Sequence, residues 1–179
     1  MSDWRARVTG PALLDFDHLI QTVLPSAEST LRRFGAFQPF GASITTEGEL
    51  VRLNADPRLG QDPHPREVVR GIYNGARAST FARRAIAVIQ TGRSGGSHAM
   101  RVDMEHQDGQ CVSVVVPYTI SRFKKTYSRG TMVAGPCERR VWTEQLTTLP
   151  PETIDLRTAA EVAVDEPAND VWSNEPQKG

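Results

Sequence analysis

The densest collection of reactive side chains is MRVDMEHQDG, where Asp103, Glu105, His106 and Asp108 fall within six positions. Carboxylates and an imidazole at that spacing are the raw material of a metal site or a general acid–base pair. Strand periodicity bears on the choice. Successive side chains of an extended chain point to opposite faces, so Asp103 and Glu105 share a face with Arg101 while His106 takes the other. The next stretch, QCVSVVVPY, fixes the hairpin register. A two-residue turn at Asp108-Gly109 would set Val112, Val114 and Val116 against Glu105, Asp103 and Arg101, an apolar row against a charged one. A three-residue loop, Gln107-Asp108-Gly109 with its glycine left-handed, pairs Met104 with Val112, Val102 with Val114 and Met100 with Val116. The second register gives one consistent core row. Asp103 and Glu105 then make a solvated charge ladder on the outer face, and neither a metal nor a catalytic role is assigned to them.

Other combinations are weaker. Cys111 and Cys137 are the only cysteines and belong to no CxxC or HxxxH pattern, so reduced thiols are expected over a bridge. None of His18, His64, His98 and His106 forms a local nucleophile–base signature with either thiol. The glycine-rich TGRSGGSH leads into another strand, and a phosphate cradle needs a helix N-terminus there, so it reads as a hairpin connection. Asp15, Asp17 and His18 are spread around a helix by its own geometry. No catalytic residue, cofactor or metal is assigned.

Basic residues carry the more informative pattern. On a helix beginning at Pro65, Arg66, Arg70, Arg77 and Arg84 fall within about 40° of one another, provided helix extends that far. Val68, Val69, Ile72, Tyr73 and Ala76 form a separate apolar arc, and Gly71, Gly75, Ala78 and Ala82 a small-residue arc expected to pack within the chain. Like charges in one row repel, and a carboxylate or phosphate partner would relieve them. A second cluster, Arg122, Lys124, Lys125 and Arg129, has Phe123 and Tyr127 interleaved, a composition able to stack on bases. These eight cations are the candidate partner-binding residues.

The elements that position them follow from periodicity. Residues 12–34 predict an amphipathic helix, which Pro25 should kink or split near Leu24. Two short strands follow at about 37–45 and 49–54 around a turn at 46–49, with Gly41 marking a bulge or a close backbone approach. A second helix spans roughly 65–80, with Pro65 at its start. Three strands come next (RAIAVIQTG, HAMRVDMEH and QCVSVVVPY), with a ragged strand or loop after Tyr118 and a last strand at 137–142. The fold class is therefore α+β: an antiparallel sheet of about five strands, order α-β-β-α-β-β-β, with helices packed on one face. That order resembles the roadblock/longin and profilin-like architectures. Residues 1–145 form a single domain, and 146–179 an acidic, proline-containing tail, irregular or docked on the body.

Hydrophobic content of 39% and charged content of 23% exclude wholesale disorder. No apolar run is long enough to span a bilayer, and the N-terminal residues lack the apolar stretch of a signal peptide. The net charge of zero conceals an asymmetry: residues 144–179 hold eight acids against two cations, a charge of −6, and residues 1–143 hold 19 cations against 13 acids, a charge of +6. FQPFGASITTEGEL, together with RVDMEHQDG…VPY, resembles small uncharacterised bacterial proteins that share a PFG-then-GE pattern, over about two thirds of the chain. The resemblance implies a bacterial cytoplasmic protein and transfers no activity. The expectation is a non-catalytic cytoplasmic binding module, of adaptor or immunity type, engaging a protein partner through charged surfaces as a monomer or homodimer, away from membranes. Nucleic-acid binding through the basic surfaces, gated by the acidic tail, is one alternative, against which stands a pI near 6.9. An enzyme whose site is assembled from distant loops, around His64, Cys137 and the arginine row, is the other.

Overall fold

The computed structural model describes residues 3–143, apart from Gln61, Gly95, 122–125 and Pro136. Helix α1 (Pro11–Phe34) has Pro11 in its first turn, where a missing N–H costs nothing. It ends at Gly35, left-handed at φ 77°, whose N–H bonds the Leu31 carbonyl at 2.8 Å. Pro25 does not split it. Phe16, Leu19, Ile20, Val23, Leu24, Ala27 and Leu31 are all buried on one side, and that packing holds the helix continuous across the lost backbone bond. Helix α2 (Pro65–Arg77) starts at His64, whose ring Nδ1 accepts the Arg66 N–H at 3.2 Å, and stops three residues short of the expected end.

The strands are β1 (Phe40–Thr45), β2 (Leu50–Leu53), β3 (Arg83–Ser94), β4 (Ser97–His106), β5 (Cys111–Ser121), β6 (Thr126–Arg129) and β7 (Val133–Gly135). They form one curled antiparallel sheet in the order β2-β1-β3-β4-β5-β6, with β7 also pairing β5. The sheet thus has seven strands rather than about five, while the expected α-β-β-α-β-β-β order stands within it. Residues 137–142, expected as a last strand, cross the α2 side without joining the sheet. Most of TGRSGGSH is strand, since β3 runs to Ser94 and β4 resumes at Ser97. Gly41 is a close approach: a Cβ there would lie 2.4 Å from the Ala87 carbonyl oxygen.

The β4–β5 register is the expected one. Met104 pairs with Val112, Val102 with Val114 and Met100 with Val116, and all six are buried in the core under α1. The loop Gln107-Asp108-Gly109 turns through Gly109 at φ 95°.

The helices do not share a face. Ala85, Ala87 and Ile89 of β3 join the α1 core, whereas the alternate residues Ile86 and Val88 join a second core with Val68, Val69, Ile72, Tyr73 and Ala76 of α2 and with Val141 and Trp142. A strand apolar on every residue from Ala85 to Ile89 is buried on both sides, and one helix per side supplies the cover.

Candidate functional site

Covering the second face reverses the expectation for the charged strand. Asp103 and Glu105 do point away from the α1 core, but they are 6% and 3% exposed, not solvated. Glu105 lies between Ile86 of β3 and Cys111 of β5. Its carboxylate accepts the backbone N–H groups of Arg140, Val141 and Trp142 at 2.8, 2.9 and 2.8 Å, with the Arg139 guanidinium 3.6 Å away. Three successive amides aimed at one anion reproduce what a helix N-terminus offers, so segment 139–142 is tied to the sheet by this side chain. Asp103 accepts from Arg101 Nε at 2.7 Å. The Asp103 pair is half-exposed on its arginine side and fixes where that guanidinium points.

Between α2 and residues 138–143 lies a cleft of about 900 Å³, lined by Arg66, Arg70, Arg77, Arg101, Arg139 and Arg140, with Tyr73, Asn74, Gln90, Val69 and Thr143. Among the described residues, six guanidiniums meet a single lining carboxylate, Glu138. Four are oriented by neighbours. Arg101 is held by Asp103 and Arg139 by Glu105. Arg140 sits over the Tyr73 ring at 5.2 Å and 3.7 Å from Glu138. Arg77 donates to the Arg140 carbonyl and to Asn74. Arg66 and Arg70, one turn apart on the rim of α2, have exposed side chains and no side-chain partner among the described residues. Burial, then the negative charge of Asp103, raises the Tyr73 hydroxyl far above its ordinary value, so the ring stays a neutral floor. Planar guanidiniums set in place lose little freedom on meeting carboxylate or phosphate oxygens, so the arrangement is chemically able to hold an anion bearing several charges.

The structure brings together three of the eight candidate cations, Arg66, Arg70 and Arg77. Arg84 is a correction. The helix ends before it, and β1 skips it, since Ile44 pairs with Ala85 and Thr45 with Arg83. This bulge leaves Arg84 in a bidentate pair with buried Asp15 of α1, at 2.8 and 2.9 Å. Arg129 pairs with Glu28 of α1 at 3.1 Å and does not line the cleft. Arg122, Lys124 and Lys125 lie outside the described residues, as does the acidic segment from Glu144 onward. The small-residue arc packs within the chain at one end only: a Cβ at Gly71 would lie 3.9 Å from Leu59, whereas one at Gly75 would meet nothing.

Arg101, Arg139 and Arg140 are site residues that sequence reading missed. The doubly buried β3 was the available signal, because its neighbours in register, Asp103 beside Val88 and Glu105 beside Ile86, had to lie under cover as well. His106 takes the inner face as expected, edge-on to Phe16, with Asp15 3.3 Å from its Nε2. His64 is engaged as the α2 cap. Cys111 and Cys137 are free thiols, the first donating to the Cys137 carbonyl at 3.3 Å; burial, then the Cys111 side chain, raises the Cys137 thiol well above its usual range. Among the described residues no helix is long and apolar enough to cross a membrane, and no three His, Cys, Asp or Glu side chains are grouped to hold a metal ion. No protein-family model, no curated protein and no solved structure matches the chain.

Proposed function

We propose that the protein is a non-catalytic binding module of the bacterial cytoplasm that captures an acidic stretch of a partner protein in the arginine cleft. The observation that carries this reading is the convergence of six guanidiniums on one cleft, four of them held by neighbours and two without a side-chain partner, against a single carboxylate among the described residues. An adaptor- or immunity-type role is the reading we give such a surface, and the resemblance to roadblock/longin and profilin-like proteins is one of element order alone. Tyr73, the cleft's aromatic ring, is buried with Arg140 over it, which weighs against base stacking and so against the nucleic-acid alternative.

The test is fluorescence anisotropy with a labelled Asp/Glu-rich peptide and, in parallel, a single-stranded oligonucleotide, each at low and at moderate salt. Saturable, salt-sensitive peptide binding that is lost in the Arg66→Ala/Arg70→Ala variant supports the reading. Preference for the oligonucleotide, or peptide binding indifferent to those substitutions, overturns it.

A further inference from the structure

We infer that in the free protein the arginine cleft is occupied by the chain's own acidic segment, residues 144–179, and that an acidic partner binds by displacing it. This rests on the cleft being the acidic-partner site proposed above. Two independent observations lead here. Residue Thr143, the last before the segment, itself lines the cleft, so the acidic sequence begins at the site it would fill. The charges are also opposite in sign: the acids concentrate in residues 144–179, at −6, and leave residues 1–143 at +6.

Within the segment the densest acids are Glu161, Asp165, Glu166 and Asp170, a run with no cation between them. Glu161 is 18 residues beyond Thr143. A connection of that length spans at most about 60 Å when extended, enough to fold back over a cleft that starts at its own origin. Attachment makes the contact intramolecular, with an effective concentration of order millimolar, so a contact of about 0.1 mM intrinsic affinity is already roughly nine-tenths formed. Arg66 and Arg70, unpartnered among the described residues, are the guanidiniums with most to gain. The segment thereby sets a threshold: only a partner that outcompetes the tethered acids engages the cleft.

The experiment compares the full 179-residue chain with a full-length variant carrying Glu161→Gln, Asp165→Asn, Glu166→Gln and Asp170→Asn. The readouts are affinity for a labelled Asp/Glu-rich peptide and the arginine Nε–Hε resonances in NMR spectra, which also report that the fold is intact. The expected result is peptide binding about tenfold tighter in the variant, with the Arg66, Arg70 and Arg101 resonances shifted between the two proteins. Equal affinities, both dependent on Arg66 and Arg70, overturn self-occupancy and leave the acidic-partner reading standing. If neither protein binds the peptide and the resonances coincide, self-occupancy and the acidic-partner reading both fall. A difference that grows with protein concentration assigns the contact to a second copy's segment and overturns the intramolecular form.

Discussion

Under α1 the sheet meets a continuous apolar layer running from Trp4 through Phe16, Leu19 and Leu31 to Met100, Met104 and the three valines of β5. Under α2 it meets a smaller apolar patch, two buried carboxylates and a rim of arginines. The first face is held chiefly by area removed from water, a force without direction, with a buried polar group, Asp15 with Arg84 and His106, beside it. The second is held at its margin by directed contacts: three amides on Glu105, one guanidinium on Asp103. Each carboxylate serves as internal counter-charge and guide to an arginine that faces outward. One face therefore supplies stability, and the other uses part of that stability to hold like charges together.

Substitutions sharpen or break this contrast. On the α1 face, Phe16→Ala should lower unfolding free energy by about 3–5 kcal/mol in urea titrations. A size-matched pair isolates the faces: Val68→Ala on the α2 face should cost less than Val23→Ala on the α1 face, and equal losses would abolish the distinction. Next in size, Glu105→Ala strands three amides and should cost about 3 kcal/mol. Its diagnostic is a concurrent loss of acidic-peptide binding, because the wall bearing Arg139 and Arg140 is released. Gly41→Ala forces β1 and β3 apart and should cost about 2 kcal/mol without altering peptide specificity, a control for general destabilisation. Arg66→Ala with Arg70→Ala should leave stability within about 0.5 kcal/mol while weakening peptide binding at least tenfold, as roughly expected where function and stability have separate residues. The smallest effect is chemical. With its thiol raised by burial and by Cys111, Cys137 should alkylate much more slowly at mildly alkaline pH than an unfolded control, by mass spectrometry of trapped adducts.

Much of the α1 face was legible in the sequence, because its determinants are local or periodic. The spacing of apolar residues placed α1, the two alternating runs with Gly109 between them gave the β4–β5 register, and Gly41 marked a bulge or a close backbone contact, of which the second holds. The cleft was legible only in part. Arg66, Arg70 and Arg77 follow from the period of one helix, but Arg101, Arg139 and Arg140 arrive from a strand and from an irregular segment, which no single period connects. Asp103 and Glu105 read as solvated because their cover comes from α2 and 139–142, distant in sequence. Arg84 was misplaced for a related reason: whether a helix continues past Ala78 and where a strand bulges are settled by packing partners, not by the angle on a helical wheel.

Gly109 has a consequence for how such a protein can change over generations. Its left-handed turn sets the parity of β5 against β4, and a slip of one residue would send Val112, Val114 and Val116 toward the cleft and Cys111, Ser113 and Val115 under α1. The cleft arginines can be exchanged one at a time while the body endures. The loop's length has no such gradual path, since a single insertion or deletion there inverts both faces at once. Lineages carrying this fold should therefore drift freely in the identity of their cleft residues and hardly at all in the count of residues between His106 and Gln110.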